Sequence, residues 1–148
     1  MNKPIFENRI IKFRVWTGKE MFEIQDYPTL QFEEKGRWFI KMGDEYLCNF
    51  MTGALMQWTG LRDKNNNKVW EGDILNTFED EGNYEEKLKI VEYVKWNEEE
   101  GKWGIWNAII DNVMGYDEDW SEDKCFFGSD IKELTVLGNL YENPELLK

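Results

Sequence analysis

A chain of 148 residues with 16% aromatic content and eight tryptophans has enough large apolar surface to build a core, which excludes intrinsic disorder despite 32% charged residues. Its net charge of −12 is unevenly distributed: residues 1–74 hold 11 acids and 11 bases, whereas residues 75–148 hold 19 acids and 7 bases. That balance argues against non-specific attachment of the C-terminal half to nucleic acid or anionic lipid, and no apolar run approaches the ~20 residues that span a bilayer.

The opening MNKPIFENRIIKF contains acidic Glu7 and no small-residue cleavage site, so it does not read as a signal peptide. Cys48 and Cys125 lie 77 positions apart, in no CxxC, in a chain without histidine. Reduced thiols in a cytoplasmic protein are the expectation.

Period-two alternation is the dominant pattern. Ile11-Lys12-Phe13-Arg14-Val15 places apolar residues at odd positions and bases at even ones, as in a half-buried strand. A Thr17-Gly18-Lys19 turn then leads to a second strand over Met21 to Ile24, completing an N-terminal hairpin. Arg37 to Met42 puts Trp38, Ile40 and Met42 on one face, with Gly36 before and Gly43-Asp44 after as turn residues. MTGALMQW, around Phe50 to Met56, suits a helix or an extended segment equally.

Further along, β-branched and aromatic content assigns Leu88 to Trp96 to a strand. The turn Asn97-Glu98-Glu99-Glu100-Gly101 joins it to a strand over Lys102 to Ile110, and another strand covers Leu134 to Tyr141. Asp130-Ile131-Lys132-Glu133 reads as one capped turn, and Asn143-Pro144-Glu145 as a cap with proline at the first helical position. The acidic stretches Glu79–Glu86 and Asp117–Asp123 have no apolar periodicity and read as solvated loops. The fold class is therefore mainly β, with a β-rich α+β arrangement as the alternative.

QWTGLRDKNNNKVWEGDIL, Gln57 to Leu75, is the most informative segment. Asp63-x-Asn65-x-Asn67 imitates the start of a calcium loop, but loop position 6 is then Lys68 and position 12 is Ile74. The glycine and the bidentate glutamate are both missing, so no metal site is expected. Asparagine tolerates positive φ, so Lys64-Asn65-Asn66-Asn67 suits a tight hairpin turn with Trp58 and Trp70 as a cross-strand pair. Glu71-Gly72-Asp73 reads as a second turn whose carboxylates cap backbone amides at the start of a barrel strand, a placement common in SH3-type barrels.

Without histidine there is no Ser-His or Cys-His nucleophile and no imidazole ligand. Glu71 with Asp73 is the tempting acid–base pair, and Asp117, Asp119 and Asp123 the tempting magnesium ligands. Turn capping and a solvated acidic loop account for them better, so neither enzymatic activity nor a cofactor is expected. Trp96 to Trp106 lacks the basic groove of a stacking platform for single-stranded nucleic acid, because Glu98 to Glu100 flank it. Trp120, with Asp117, Asp119 and Asp123 around it, is the candidate anchor for a protein partner.

The string MQWTGLRDKNNNKVWEGDIL resembles the central signature of the YopX family, small proteins of phages and prophages of Gram-positive bacteria. The residues carrying the match are Trp58, Gly60, Asp63, Asn67, Trp70, Glu71, Gly72 and Asp73. IKFRVW near the start and LGNLYENPELL at the end are similar to the family's opening and closing motifs, so the pieces span Ile11 to Leu147 in order. Tryptophan replaces the usual Tyr or Phe at 58 and 70, and Asn67 stands where glycine is common, which marks it as a positive-φ position. The resemblance implies an N-terminal β-hairpin subdomain over residues 1–54 and an SH3-type barrel subdomain over 55–148. It also implies a homo-oligomer, and it carries no activity.

Two functions of different class follow. One is an accessory protein that assembles with itself and binds a host protein through its acidic C-terminal surface. The other is an acidic DNA-mimic decoy that occupies a host nucleic-acid-binding protein. Neither involves direct binding of nucleic acid or membrane.

Overall fold

The computed structural model describes residues 10–24, 29–76, 88–111, 115–125 and 131–147. Twelve strands are present among them: β1 (Phe13–Trp16), β2 (Met21–Ile24), β3 (Thr29–Phe32), β4 (Trp38–Met42), β5 (Glu45–Asn49), β6 (Ala54–Arg62), β7 (Lys68–Trp70), β8 (Asp73–Asn76), β9 (Leu88–Asn97), β10 (Lys102–Asp111), β11 (Gly115–Cys125) and β12 (Thr135–Asn139). Short 3-10 turns at Glu34–Gly36, Ile131–Glu133 and Pro144–Leu147 are the only helical pieces among the described residues. The protein is thus mainly β, as its alternation and its scarcity of helix signals indicate.

The strands form three sheets, in the orders β2-β1-β6-β7, β3-β4-β5 and β11-β10-β9-β8-β12. Among the described residues no ladder closes any of them into a barrel; each sheet is open. The closure expected of an SH3-type barrel is therefore not seen.

The first and second of these sheets share a core. Val15, Ile40 and Cys48 are fully buried, with Phe22, Ile24, Leu30, Trp38, Leu47 and Leu55 packed around them. Removing a fully buried Val or Ile side chain from water is worth about 1.5–3 kcal/mol. Gly53 follows the turn that Asn49 caps by accepting the amides of Met51 and Thr52 at 3.0 and 3.2 Å. A Cβ at Gly53 would stand 2.6 Å from the Trp16 carbonyl and 2.9 Å from Cys48 Sγ, so only glycine lets these chains approach. The chain then runs extended from Ala54, and the helix alternative around Phe50 to Met56 is not adopted.

A second core lies where β7 meets the five-stranded sheet: Val69 of β7 is buried together with Leu75, Val94, Trp103 and Ile105. The expected β9–β10 hairpin forms in the register Lys102↔Asn97 and Trp103↔Trp96. Its turn is set by Asn97, whose Oδ1 accepts the Glu99 and Glu100 amides at 3.0 and 3.2 Å. Gly101 supplies φ +64 for the return. Trp96 and Trp103 meet edge to face at 5.0 Å.

Several expectations change. Arg14, placed on a solvent face by alternation, is 8% exposed. Asp117–Asp123, read as a solvated loop, lies within strand β11, which pairs with β10 from Asp111↔Gly115 to Trp106↔Trp120. Acidic residues disfavour strand locally, but the adjacent edge of a ten-residue strand offers a ladder that overrides that preference. The positive φ in the NNN turn falls on Asn66 (φ +66), not on Asn67. Glu79–Glu86 and Asp130 lie outside the described residues.

Candidate functional site

The hairpin of β6 and β7 organises the signature segment. Trp58 and Trp70 are cross-strand partners, as their spacing about the turn requires. A register shift between Trp58 and Arg62 coincides with Gly60, whose φ of +87 marks a bulge. Thr59 stitches the bulge by donating its hydroxyl to the Val69 carbonyl at 2.8 Å while accepting the Leu61 amide at 3.1 Å.

Asp63 holds the turn. Its Oδ1 accepts the amides of Asn65 and Asn67 at 2.9 and 2.8 Å. Its Oδ2 accepts the Asn67 side-chain amide at 3.3 Å and, from β12, the Val136 amide at 3.0 Å. Burial alone would raise its pKa, but these donors outweigh that effect and hold the carboxyl below its ordinary value. The asparagines that resemble calcium ligands therefore surround the carboxylate as N–H donors, and a cation ligand set would need oxygens pointing the same way.

Ten residues later the same logic recurs. Asp73 is 1% exposed; its Oδ2 accepts the Trp70 amide at 2.8 Å and its Oδ1 forms a 2.5 Å ion pair with Arg14 Nη2. The same Nη2 reaches the Glu71 carbonyl at 3.3 Å, and the guanidinium lies 5.4 Å from the centre of the Trp70 ring. Burial pushes the Asp73 pKa up to about 6, against the pull of Arg14 and of the Trp70 amide. Arg14 Nε is buried and has no hydrogen-bond partner among the described residues. Between the two carboxylates, Gly72 (φ +80) donates its amide to the Val94 carbonyl and accepts the Leu140 amide, at 2.8 and 3.0 Å. The signature thus ties β1, the hairpin, β9 and the chain after β12 to one another.

A shallow groove of about 440 Å³ overlies this network, lined by Arg14, Lys68, Trp70, Asp73, Asn139 and Glu142 among others. Ion pairs offset charge in it, Lys68 with Glu23 at 2.6 Å and Arg14 with Asp73, while Asn139 Nδ2 donates a hydrogen bond to Glu142 at 2.8 Å. Asn139 is itself buried and caps the final turn by accepting the Tyr141 and Glu142 amides at 3.0 and 2.9 Å. Arg14 and Asn139 are the two network members that sequence reasoning left out. The signal for Arg14 was the co-occurrence of the IKFRVW and EGD motifs, because a buried carboxylate requires a counterion from elsewhere in the chain.

The acidic candidates lie apart from this site. Asp117 pairs in register with Ile109, Asp119 with Asn107 and Trp120 with Trp106, while Asp123 falls in the irregular stretch between Trp120 and Cys125. β11 is an edge of its sheet, with β10 and β9 between it and β8, where Asp73 begins. At about 4.8 Å per strand, that separates the two regions by roughly 14 Å.

Chemically, two of the three signature carboxylates, Asp63 and Asp73, are occupied. A general base needs an oxygen that faces a substrate, and the oxygens of Asp63 and Asp73 accept N–H donors from the chain itself.

The model of the family described as YopX protein matches residues 12–148. Among solved structures, protein EF1440 from Enterococcus faecalis is similar, with 27% identity over 95% of this chain and 100% of that one, at a TM-score of 0.53. No curated protein matches.

Proposed function

Because the chain belongs to the YopX family over residues 12–148, we propose that it is a non-catalytic interaction or assembly module, an accessory protein of phage or prophage origin working in the cytoplasm of a bacterial host. The observation that carries this reading is the use of the signature side chains. Asp63 bonds an amide 73 positions away and Arg14 pairs with Asp73 across 59, so the family motif builds architecture. Exposed apolar side chains on the three-stranded sheet support association: Phe32 on β3, Tyr46 on β5, and Phe50 and Met51 just after it. Light scattering on the purified chain tests the reading. A discrete multiple of 17.8 kDa that persists on dilution is expected. A strictly monomeric chain that turns over a substrate would overturn it.

One observation favours a second reading, the acidic decoy. Asp117 and Asp119 sit two residues apart in a regular strand, which sets a repeat of about 6.6–6.8 Å between their backbones. A decoy needs carboxylates at such a regular interval. Retention of DNA-binding proteins from host lysate, released at high salt and competed by duplex DNA, supports it; retention that DNA does not compete removes it.

A further inference from the structure

A second concavity, on a different side of the signature turn, has chemistry of its own. It is a cleft of about 220 Å³ formed where β6, the Glu71–Gly72 turn, β9 and the Leu140–Tyr141 segment converge. Leu55, Met56, Leu140 and the rings of Tyr93 and Tyr141 give it apolar walls, and Glu71 and Lys95 supply the charged groups. Gly72 keeps the cleft open: a Cβ there would lie 3.5 Å from the Tyr141 ring and 3.6 Å from Met56 Sδ.

Glu71 differs from the other two signature carboxylates. Asp63 accepts four hydrogen bonds and Asp73 two, one of them from its ion-pair partner, whereas the side chain of Glu71 accepts one among the described residues, from the Gln57 amide at 3.5 Å. A carboxylate has about four acceptor sites, so most of the hydrogen-bonding capacity of Glu71, which lines the cleft, is left over. Burial raises its pKa, against the Gln57 amide and the Lys95 charge, and the proximity of Glu71 in turn adds to the burial that raises the Tyr141 phenol. Tyr141 is thus within electrostatic reach of Glu71, yet no hydrogen bond joins them among the described residues, and a gap lined by both remains.

We propose that this cleft is a binding site for a guanidinium or primary ammonium group carried on a short alkyl stem, with Glu71 as the anionic contact and the Tyr93, Tyr141 and Leu140 side chains as walls for the stem. A carboxylate set in apolar and aromatic walls matches such a group on both counts: charge-assisted N–H···O bonds at the head and ring faces around the cation. The chain's charge of −12 concentrates cations at its surface. Lys95 is the internal competitor. Its ammonium lies 4.5 Å from the centre of the Trp106 ring, and its charge already acts on Glu71. The inference stands on the cleft and does not depend on the interaction-module reading. The source of the group is either a free small amine or an Arg or Lys side chain of a partner protein.

The test is a titration of the intact chain followed by amide NMR shifts, with n-butylguanidinium chloride as the probe and n-butanol as the uncharged control. Saturable shifts centred on Gly72 and Tyr141 are expected for the cation alone, with a Kd on the order of 1 mM given so few contacting atoms. Glu71→Gln, which keeps an acceptor for the Gln57 amide, should weaken binding by about tenfold or more while leaving the melting curve in place. Lys95→Met should strengthen it severalfold by removing the competing charge. Acetyl-Gly-Arg-Gly-amide assigns the source: binding like the probe supports a partner's side chain, and exclusion of the peptide with retention of the probe supports a free amine. Equal shifts with n-butanol, no saturation with the cation, or indifference to Glu71→Gln would each overturn the proposal.

Discussion

Replacing Asp63 by alanine removes one carboxylate and orphans three backbone donors at once: the amides of Asn65, Asn67 and Val136, now held at 2.9, 2.8 and 3.0 Å. A buried donor left without a partner costs about 1–3 kcal/mol. The loop donors at Asn65 and Asn67 can turn to water because the turn is exposed, so their share falls at the low end. Val136 is half-buried within the β8–β12 ladder, and its amide has less access to solvent. The sum is about 3–4 kcal/mol, a large share of the ~5–15 kcal/mol that holds a domain folded. Urea denaturation reads it as a drop in midpoint with little change in slope. Asp63→Asn is the sharper variant. It can keep one oxygen for the two turn amides, but it presents an N–H₂ group toward the Val136 amide, donor against donor. Its cost should therefore stay above about 1 kcal/mol even with the turn intact. If Asp63→Ala lost less than about 1 kcal/mol, the carboxylate would not be what couples the hairpin to β12.

The buried ion pair makes two further predictions. Arg14→Met leaves Asp73 buried without its counterion and should cost about 3–5 kcal/mol, while adding Asp73→Asn should restore part of that loss, a coupling above about 1 kcal/mol in a double-mutant cycle. Asp73, with its pKa raised to about 6, holds its proton more tightly folded than unfolded. Its contribution is therefore full below about pH 4 and is lost as the pH rises through about 6, by at most about 3 kcal/mol. Thermal melts of wild type and Asp73→Asn across that window should show the wild type losing ground as pH rises; the opposite trend would mean that Arg14 outweighs burial. Asp63, with its lowered pKa, works in the opposite sense, losing its contribution as pH falls below the usual carboxylate range. Gly53→Ala places a Cβ 2.6 Å from the Trp16 carbonyl and should cost about 1–3 kcal/mol by midpoint shift.

Local chemistry made much of this fold legible. Alternation located β1 and β4, β-branched and aromatic content located β9, and turn residues located the hairpins that add β2 and β10, because a half-buried strand and a tight reversal each leave a pattern within a few residues. The Trp58–Trp70 pairing followed from their positions about the NNN turn. Partnerships between distant segments left no such pattern. Nothing in the local run Ile11 to Val15 distinguishes Arg14, which is buried on Asp73, from Lys12, which is half-buried. Likewise Asp117 to Asp123 have the composition of a loop and are in strand because β10 runs alongside. Strand β5, Glu45–Asn49, went unread because its burial depends on β4 and on the opposing sheet.

The link from Arg14 to Asp73 also bears on how the chain is made. Synthesis proceeds from the N-terminus at about 5–20 residues per second, so the carboxylate that neutralises the guanidinium emerges roughly 3–12 s after it, across a separation of 59 residues. The first strand cannot bury its arginine until the EGD turn has left the ribosome. Val136 then lies a further 73 positions beyond the Asp63 carboxylate that its amide will need. The early hairpin must wait, solvated, for its counterion, and the Asp63 turn must wait in the same way for β12.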